Sequence, residues 1–476
     1  MQPGRTGSFV EALFFLYLAF AVTGCVQRTQ PKPLTHLERV KQAGELVVVT
    51  NYSPSSYYEG PDGYAGLEYD LATLFAKRLG VKVRFVVPDS FRDITRMVES
   101  GSADLAAAGL MVTETRKKRL RFAPAYRRVT EQVICRSDQT VPRYITDLTD
   151  SDLEVVAGAG HLDTLSALRK HYPDLSWNLN YELDADGLLS MVNQGSLDYA
   201  VVQSDQMTRV QHYYPNLQVA FDIGNPSDLA WAFSRDEDSS VYDEAVRFFG
   251  EIKHDNQLAQ LIDRYYGHAV DYGTALDNSL RVHFRQRLPR YRSMFERAGM
   301  RSGLDWRLLA AVAYQESHWD RGAISAEGVG GMMMLTNDTA RELKVSNRMD
   351  AAQSISGGST YLSQVLANMP PEIQEPDRTW IALAGYNIGY GHIEDAQHIV
   401  RQRGGDPNKW IDIKAVLPLL GKRNWYSKTA HGKARGALAV HYVNSIRRFY
   451  DLLVWLTEGE DTRKVAAIGG KAKGGA

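Results

Sequence analysis

The sequence predicts two unlike folding units in series, an α/β unit followed by an all-α unit. Three observations carry this. From Leu46 to about Gly267, short β-rich runs alternate with helical stretches of about a dozen residues, the pattern of βαβ units and a parallel sheet. Past Gly267 the β-rich runs stop and long helical stretches take over. The 476 residues suffice for roughly two to three domains.

In the first unit, Leu46-Val-Val-Val-Thr50 reads as a strand, and Glu68 to Leu79 has helical spacing that ends at Gly80. Val81–Val87 is a second strand, Phe91–Ser100 a helix and Asp104–Ala108 a third strand. In the second unit, helices are expected at Leu280–Ala298, Trp306–Ser317, Ile355–Asn368, Thr379–Tyr386 and Ala434–Leu456. The boundary falls near Asp271–Asp277, which gives an α/β unit over 46–268 and an all-α unit over 269–458. Residues 459–476 drift into Gly, Ala and Lys and read as a disordered tail.

The net charge of −1 gives no electrostatic case for nucleic acid. No Cys/His spacing suits zinc, and no Walker or dinucleotide glycine motif is present, so neither metal nor cofactor is expected. Residues 1–24 read as a targeting segment, with Arg5 before an apolar run, Phe9 to Thr23, broken only by Glu11. The run is short for a membrane-spanning helix and ends in Val22-Thr-Gly-Cys25. This resembles the lipobox of bacterial lipoproteins, which implies an acylated Cys25, a lipidated linker over 25–45 and, with Val26 next, an outer-membrane anchor facing the periplasm. Cys135 is then the one remaining cysteine and leaves no disulfide; its run Glu131-Gln-Val-Ile-Cys135 suggests a buried strand thiol.

Residues 46–268 carry Gly66-Leu-Glu-Tyr-Asp70-Leu-Ala, Leu79-Gly80, Gly101-Ser-Ala-Asp104-Leu and Thr113-Glu-Thr-Arg116 followed by Phe122 and Tyr126. Together these resemble the periplasmic amino-acid-binding proteins, two-lobed receptors that close over a small ligand. The resemblance implies that Arg116 grips the ligand's carboxylate, for which a planar guanidinium is suited. On the residues alone, Arg116 belongs equally to the solvated run Arg116-Lys-Lys-Arg119. Where the family often holds the ligand's ammonium with an aspartate, this chain has Gln203, with Asp205 two residues on. Gln203 offers no counter-charge, so the implied ligand is a weakly held amino acid or a muropeptide.

In the second unit one residue is out of place. Asp305 is a plausible N-cap for Trp306–Ser317, and Leu309, Val312 and Glu316 share one helical stripe. A carboxyl group pushed toward an apolar interior stays protonated nearer neutral pH, which suits a general acid. Glu316 sits in Ala313-Tyr-Gln-Glu-Ser-His-Trp-Asp320, followed in order by Gly328-Val-Gly-Gly-Met-Met-Met-Leu-Thr336, Ala384-Gly-Tyr-Asn-Ile-Gly389 and His441-Tyr-Val-Asn-Ser-Ile446. The four elements resemble the soluble lytic transglycosylases, a lysozyme-like family, and the full arrangement narrows this to their membrane-bound, receptor-fused branch. The resemblance implies cleavage of peptidoglycan glycan strands at the MurNAc–GlcNAc bond, with Glu316 as acid and then base and the substrate's N-acetyl group assisting. It also implies Tyr386 and Tyr442 near the acid or the N-acetyl group, Ser317 and Asn387 bracing loop backbone, and Met333 and Met334 lining the sugar groove. Two departures, Gly330 where an arginine is usual and Leu438 where a glutamate is usual, weaken the cleft wall. A glycan-binding receptor that does not cut, or a hydrolytic lysozyme, are the alternatives.

Overall fold

A computed structural model of the chain describes residues 33–472 apart from 54, 61–62, 150, 212, 269–273 and 326–327. The signal segment and Cys25 lie outside the described residues, as does part of the expected junction near 271–277. Among the described residues, no helix is long and apolar enough to cross a membrane.

The first unit is two-lobed. Its strands are β1 (Glu45–Val49), β2 (Tyr58–Gly60), β3 (Gly63–Ala65), β4 (Lys82–Val86), β5 (Leu105–Ala106), β6 (Leu120–Phe122), β7 (Arg127–Arg136), β8 (Leu153–Val156), β9 (Asn178–Asn180), β10 (Tyr199–Gln203), β11 (Leu217–Leu229) and β12 (Ala232–Ser234). Lobe 1 holds the sheet β4-β1-β5-β12-β6 and lobe 2 the sheet β11-β7-β10-β8-β9. The parallel βαβ expectation is met by β1 with β4 and β5, and by β8 with β9 and β10. It fails for β7, β11 and β12, which pair antiparallel. Their reason is topological: β7 and β11 run together from lobe 1 into lobe 2, so Val129 and Leu229 pack in one core while Ile134 and Leu217 pack in the other. Cys135 on β7 is fully buried and free.

Helix Leu67–Leu79 buries Leu67, Leu71, Phe75 and Leu79, one apolar stripe, under the lobe 1 sheet. It starts after Gly66 at φ 131°, where a Cβ would stand 2.1 Å from the Ser56 carbonyl oxygen, so only glycine fits. The segment expected as a linker is partly folded. His36–Ala43 is a helix with a Thr35–Glu38 capping box, and His36 Nε2 lies 2.6 Å from Asp104 Oδ1 of lobe 1.

The second unit is helical around one continuous core. The single helix expected over Leu280–Ala298 is two, Thr274–Gln286 and Arg292–Ser302, because Pro289 lacks an N–H and restricts Leu288 before it. The last helix spans Gly436–Ala472, so helix continues where a disordered tail was expected. The run Glu458-Gly-Glu-Asp-Thr-Arg-Lys464 contains good helix formers and no proline, and composition alone underweights that.

Candidate active site and receptor cleft

Asp305 accepts from Arg307 N at 2.8 Å and from Tyr450 Oη at 2.9 Å, which fixes the start of the Trp306–Ser317 helix. Leu309 and Val312 are fully buried, and the stripe they define carries Glu316 to the end of the helix. The chain leaves through His318 at φ 52°, in the left-handed region. Glu316 is half-buried, and Tyr442 Oη donates to its Oε1 at 2.6 Å. Burial raises the carboxyl from 4.5 to about 7, against the opposing pull of the Tyr442 hydrogen bond.

The loop facing the acid is tied from three sides. Ser317 Oγ donates to Met332 O at 2.8 Å, Met333 N donates to Ser354 Oγ at 3.1 Å, and Tyr386 Oη donates to Met333 O at 3.0 Å. Tyr386 therefore braces the loop, while Tyr442 alone of the pair bonds the acid. Glu316 still acts on Tyr386, raising its pKa electrostatically after burial. Met333 departs from the groove-lining expectation: it is fully buried, and a Cβ on Gly358 would stand 2.5 Å from its sulfur. The side chain packs inward against Gly358, while Tyr386 holds the backbone carbonyl. Met334 is half-buried at φ 45°. Asn387 is exposed on the last turn of its helix, not packed under the loop.

Two features of the site are not legible in the sequence. Ser354 sits in the buried face of helix Ala351–Asn368, and its spacing does not set it apart from the other serines there, of which Ser359 is buried too. Arg348 donates to Leu335 O at 2.6 Å and to Gly328 O at 3.2 Å, bracing the loop that contains Gly330. Gly330 is buried against Met349, whose Cε would lie 3.3 Å from an added Cβ. Leu438 is exposed one turn before Tyr442, so an apolar side chain stands on the helix where a carboxylate is usual.

In the first unit the structure brings Arg116, Gln203 and Asp205 to the junction of the lobes. Arg116 is buried, unlike its neighbours Lys117 and Lys118, so it is no part of a solvated charge run. It donates to Met111 O of lobe 1 and Gly158 O of lobe 2, both at 2.8 Å, and burial lowers its pKa to about 10. Gln203 Nε2 donates across the junction to Gly109 O at 3.1 Å. Asp205 is buried beside the Arg127 cation, with burial raising its pKa. Arg116 and Gln203 line a cavity of about 20 Å³, and Gln203 and Asp205 line one of about 10 Å³. Each holds a water at most, so the lobes touch around Gln203, while Arg116 also faces a larger cavity of about 260 Å³ between the lobes, shared with Asp163. Beneath them Glu68, 2 % exposed, accepts from Trp231 Nε1 and Gly109 N, both at 2.8 Å, and from Tyr126 Oη.

Comparison with known proteins fits both units. The family of bacterial extracellular solute-binding proteins, family 3, matches residues 45–268, and the transglycosylase SLT domain matches residues 293–408. A membrane-bound lytic murein transglycosylase F 1 from Alkalilimnicola ehrlichii is 44% identical over 448 residues, covering 94% of this chain and 91% of that protein. A membrane-bound lytic murein transglycosylase F from Saccharophagus degradans is 43% identical over 445 residues, covering 93% and 88%. Among solved structures, a mutant of ArgBP from T. maritima aligns with 48% of this chain and 99% of that one, at 21% identity and a TM-score of 0.44. At that identity and coverage with the two transglycosylases, the chain belongs to the membrane-bound lytic murein transglycosylase F family.

Proposed function

We propose that this chain cleaves the MurNAc–GlcNAc β-1,4 bond of peptidoglycan without water, leaving 1,6-anhydromuramyl ends. The observation that carries this is a half-buried carboxyl group, Glu316, raised to about 7 and hydrogen-bonded by Tyr442. A two-carboxylate glycosidase needs a partner about 5–10 Å away, whereas substrate-assisted enzymes do not. Glu316 gives its proton to the leaving oxygen as the N-acetyl oxygen attacks the anomeric carbon. As the carboxylate it then takes the proton of the 6-hydroxyl, which closes the anhydro ring. Mass spectrometry of sacculi digested with the soluble protein tests this. Anhydro ends are expected; reducing ends would mean a hydrolase, and no release a glycan-binding receptor.

The receptor half is read as the sensor for an amino acid or muropeptide. A buried guanidinium whose two hydrogen-bond partners are neutral carbonyls is suited to an anion when the lobes part. Thermal-shift screening with amino acids and muropeptides should find a ligand that raises the receptor transition by about 5 °C or more when present at about 100 times its Kd. Arg116→Ala should abolish that shift. A wild type that responds to nothing, or a variant that responds equally, overturns the binding role.

The anchor is read as lipid on Cys25, with the protein on the periplasmic face of the outer membrane. Cys25→Ala should leave the precursor unacylated and uncleaved, as read by palmitate labelling and electrophoretic mobility. Persistent label in the variant would exclude this cysteine.

A further inference from the structure

Tyr442 shares its helix with three side chains that the reaction does not use. Arg447, Asp451 and Trp455 fall at i, i+4 and i+8, one stripe, roughly 140–220° around the helix from Tyr442. That stripe faces the receptor half. Arg447, 2 % exposed, donates to Asp263 O at 2.8 Å and Arg264 O at 2.9 Å, and pairs with Asp263 Oδ2 at 3.3 Å. Lys414 holds the other Asp263 oxygen at 2.8 Å. Asp451 Oδ2 lies 2.6 Å from His268 Nε2. Trp455 stacks on Tyr213 at 5.4 Å between ring centroids, and Arg281 lies over Trp455 while donating to Tyr213 O. Asp263 belongs to helix Gln257–Tyr266, which packs into lobe 1, and Tyr213 packs against lobe 2. One helix thus touches both lobes on one face and the acid's partner on the other.

We propose that Asp263 and Tyr213 are positioning residues for the cleavage reaction, holding the terminal helix so that Tyr442 stays in hydrogen-bond reach of Glu316. The inference rests on the assignment of Glu316 above. Displacing a buried guanidinium from its partners is costly, so Arg447 fixes where the helix lies. Tyr442 is five residues from Arg447, about 7.5 Å along a stiff rod, so a shift at one is felt at the other. A shift of about 1 Å stretches the 2.6 Å bond past useful length. Among the described residues, the ionisable groups facing Glu316 are Tyr442 on this helix and Tyr386 on helix Asp377–Ile388.

The test uses the full chain with Asp263→Asn and Tyr213→Leu, one from each lobe, beside Tyr442→Phe. Each should lower kcat about 3- to 30-fold, with KM within about two-fold of wild type. Each should also move the alkaline limb of the pH profile upward, because Tyr442 donates to the charged form of the acid. Combining either with Tyr442→Phe should add no further loss, since both act through one bond. The inference is overturned if a variant that melts like wild type keeps its kcat and pH limb, or if the losses multiply. A wild type without anhydro products overturns the reaction assignment and this inference together; an active wild type with multiplying losses overturns this inference alone.

Discussion

Glu316→Gln is expected to lower turnover by about 10²- to 10⁴-fold or more while making the catalytic half more stable above neutral pH. A positioned acid–base group contributes about 3–5 kcal/mol to barrier lowering, and in the proposed reaction one group serves both proton transfers. The amide keeps the shape and the bond from Tyr442 but carries no transferable acid proton. The stability effect follows from linkage. The carboxyl titrates near 4.5 when unfolded and about 7 when folded, so between those values the folded chain binds more protons. The contribution of this group to stability is therefore fully present below about 4.5 and is lost as pH rises through about 7, by up to about 3 kcal/mol. The variant lacks this decline. Wild type and variant should melt alike below about pH 4.5, diverge as pH rises from there to about 7, and stay apart above it, with the variant higher. Wild-type activity should fall as pH rises through about 7 and the acid ionises. A folded variant retaining more than about a tenth of wild-type turnover would falsify the assignment.

Glu68→Ala should be the most damaging single change in the receptor half. It strands three buried donors, Tyr126 Oη, Trp231 Nε1 and Gly109 N, and leaves a void among fully buried aromatic rings. A cost of about 3–5 kcal/mol is expected. For a unit of this size that lowers the receptor transition by roughly 6–20 °C. Glu68→Gln should cost less, because one amide oxygen still accepts while its NH₂ group opposes one of the donors. Calorimetry should read the loss as a fall in the transition that carries the receptor half. A receptor transition unchanged in Glu68→Ala would show that water satisfies those donors instead.

Elements that depend on periodicity are legible in the chain itself. Leu309, Val312 and Glu316 lie on one stripe because helical spacing is local, and the fold buries the two apolar residues fully with the acid at the rim. Boundaries set by a single residue are mixed: Gly80 ends its helix as expected, whereas Pro289 breaks one that apolar spacing joins. The antiparallel β7–β11 pair stays hidden, since alternation shows that a strand exists but not which distant strand it joins.

The chain by itself therefore determined the order of the two units, written in short-range pattern and ordered motifs, and singled out the carboxyl on which the proposed reaction rests. Tertiary structure decided which way each side chain spends its bonds. Tyr386 and Tyr442 are alike in sequence, yet one braces a carbonyl and the other holds the acid. Met333 has the character of groove lining until packing against Gly358 turns it inward. Glu68 is a buried acceptor for three donors and Asp263 the partner of a buried arginine, roles that no spacing in the chain announces. Each outcome depends on atoms brought together from positions tens to hundreds of residues apart, and local spacing carries no record of such neighbours.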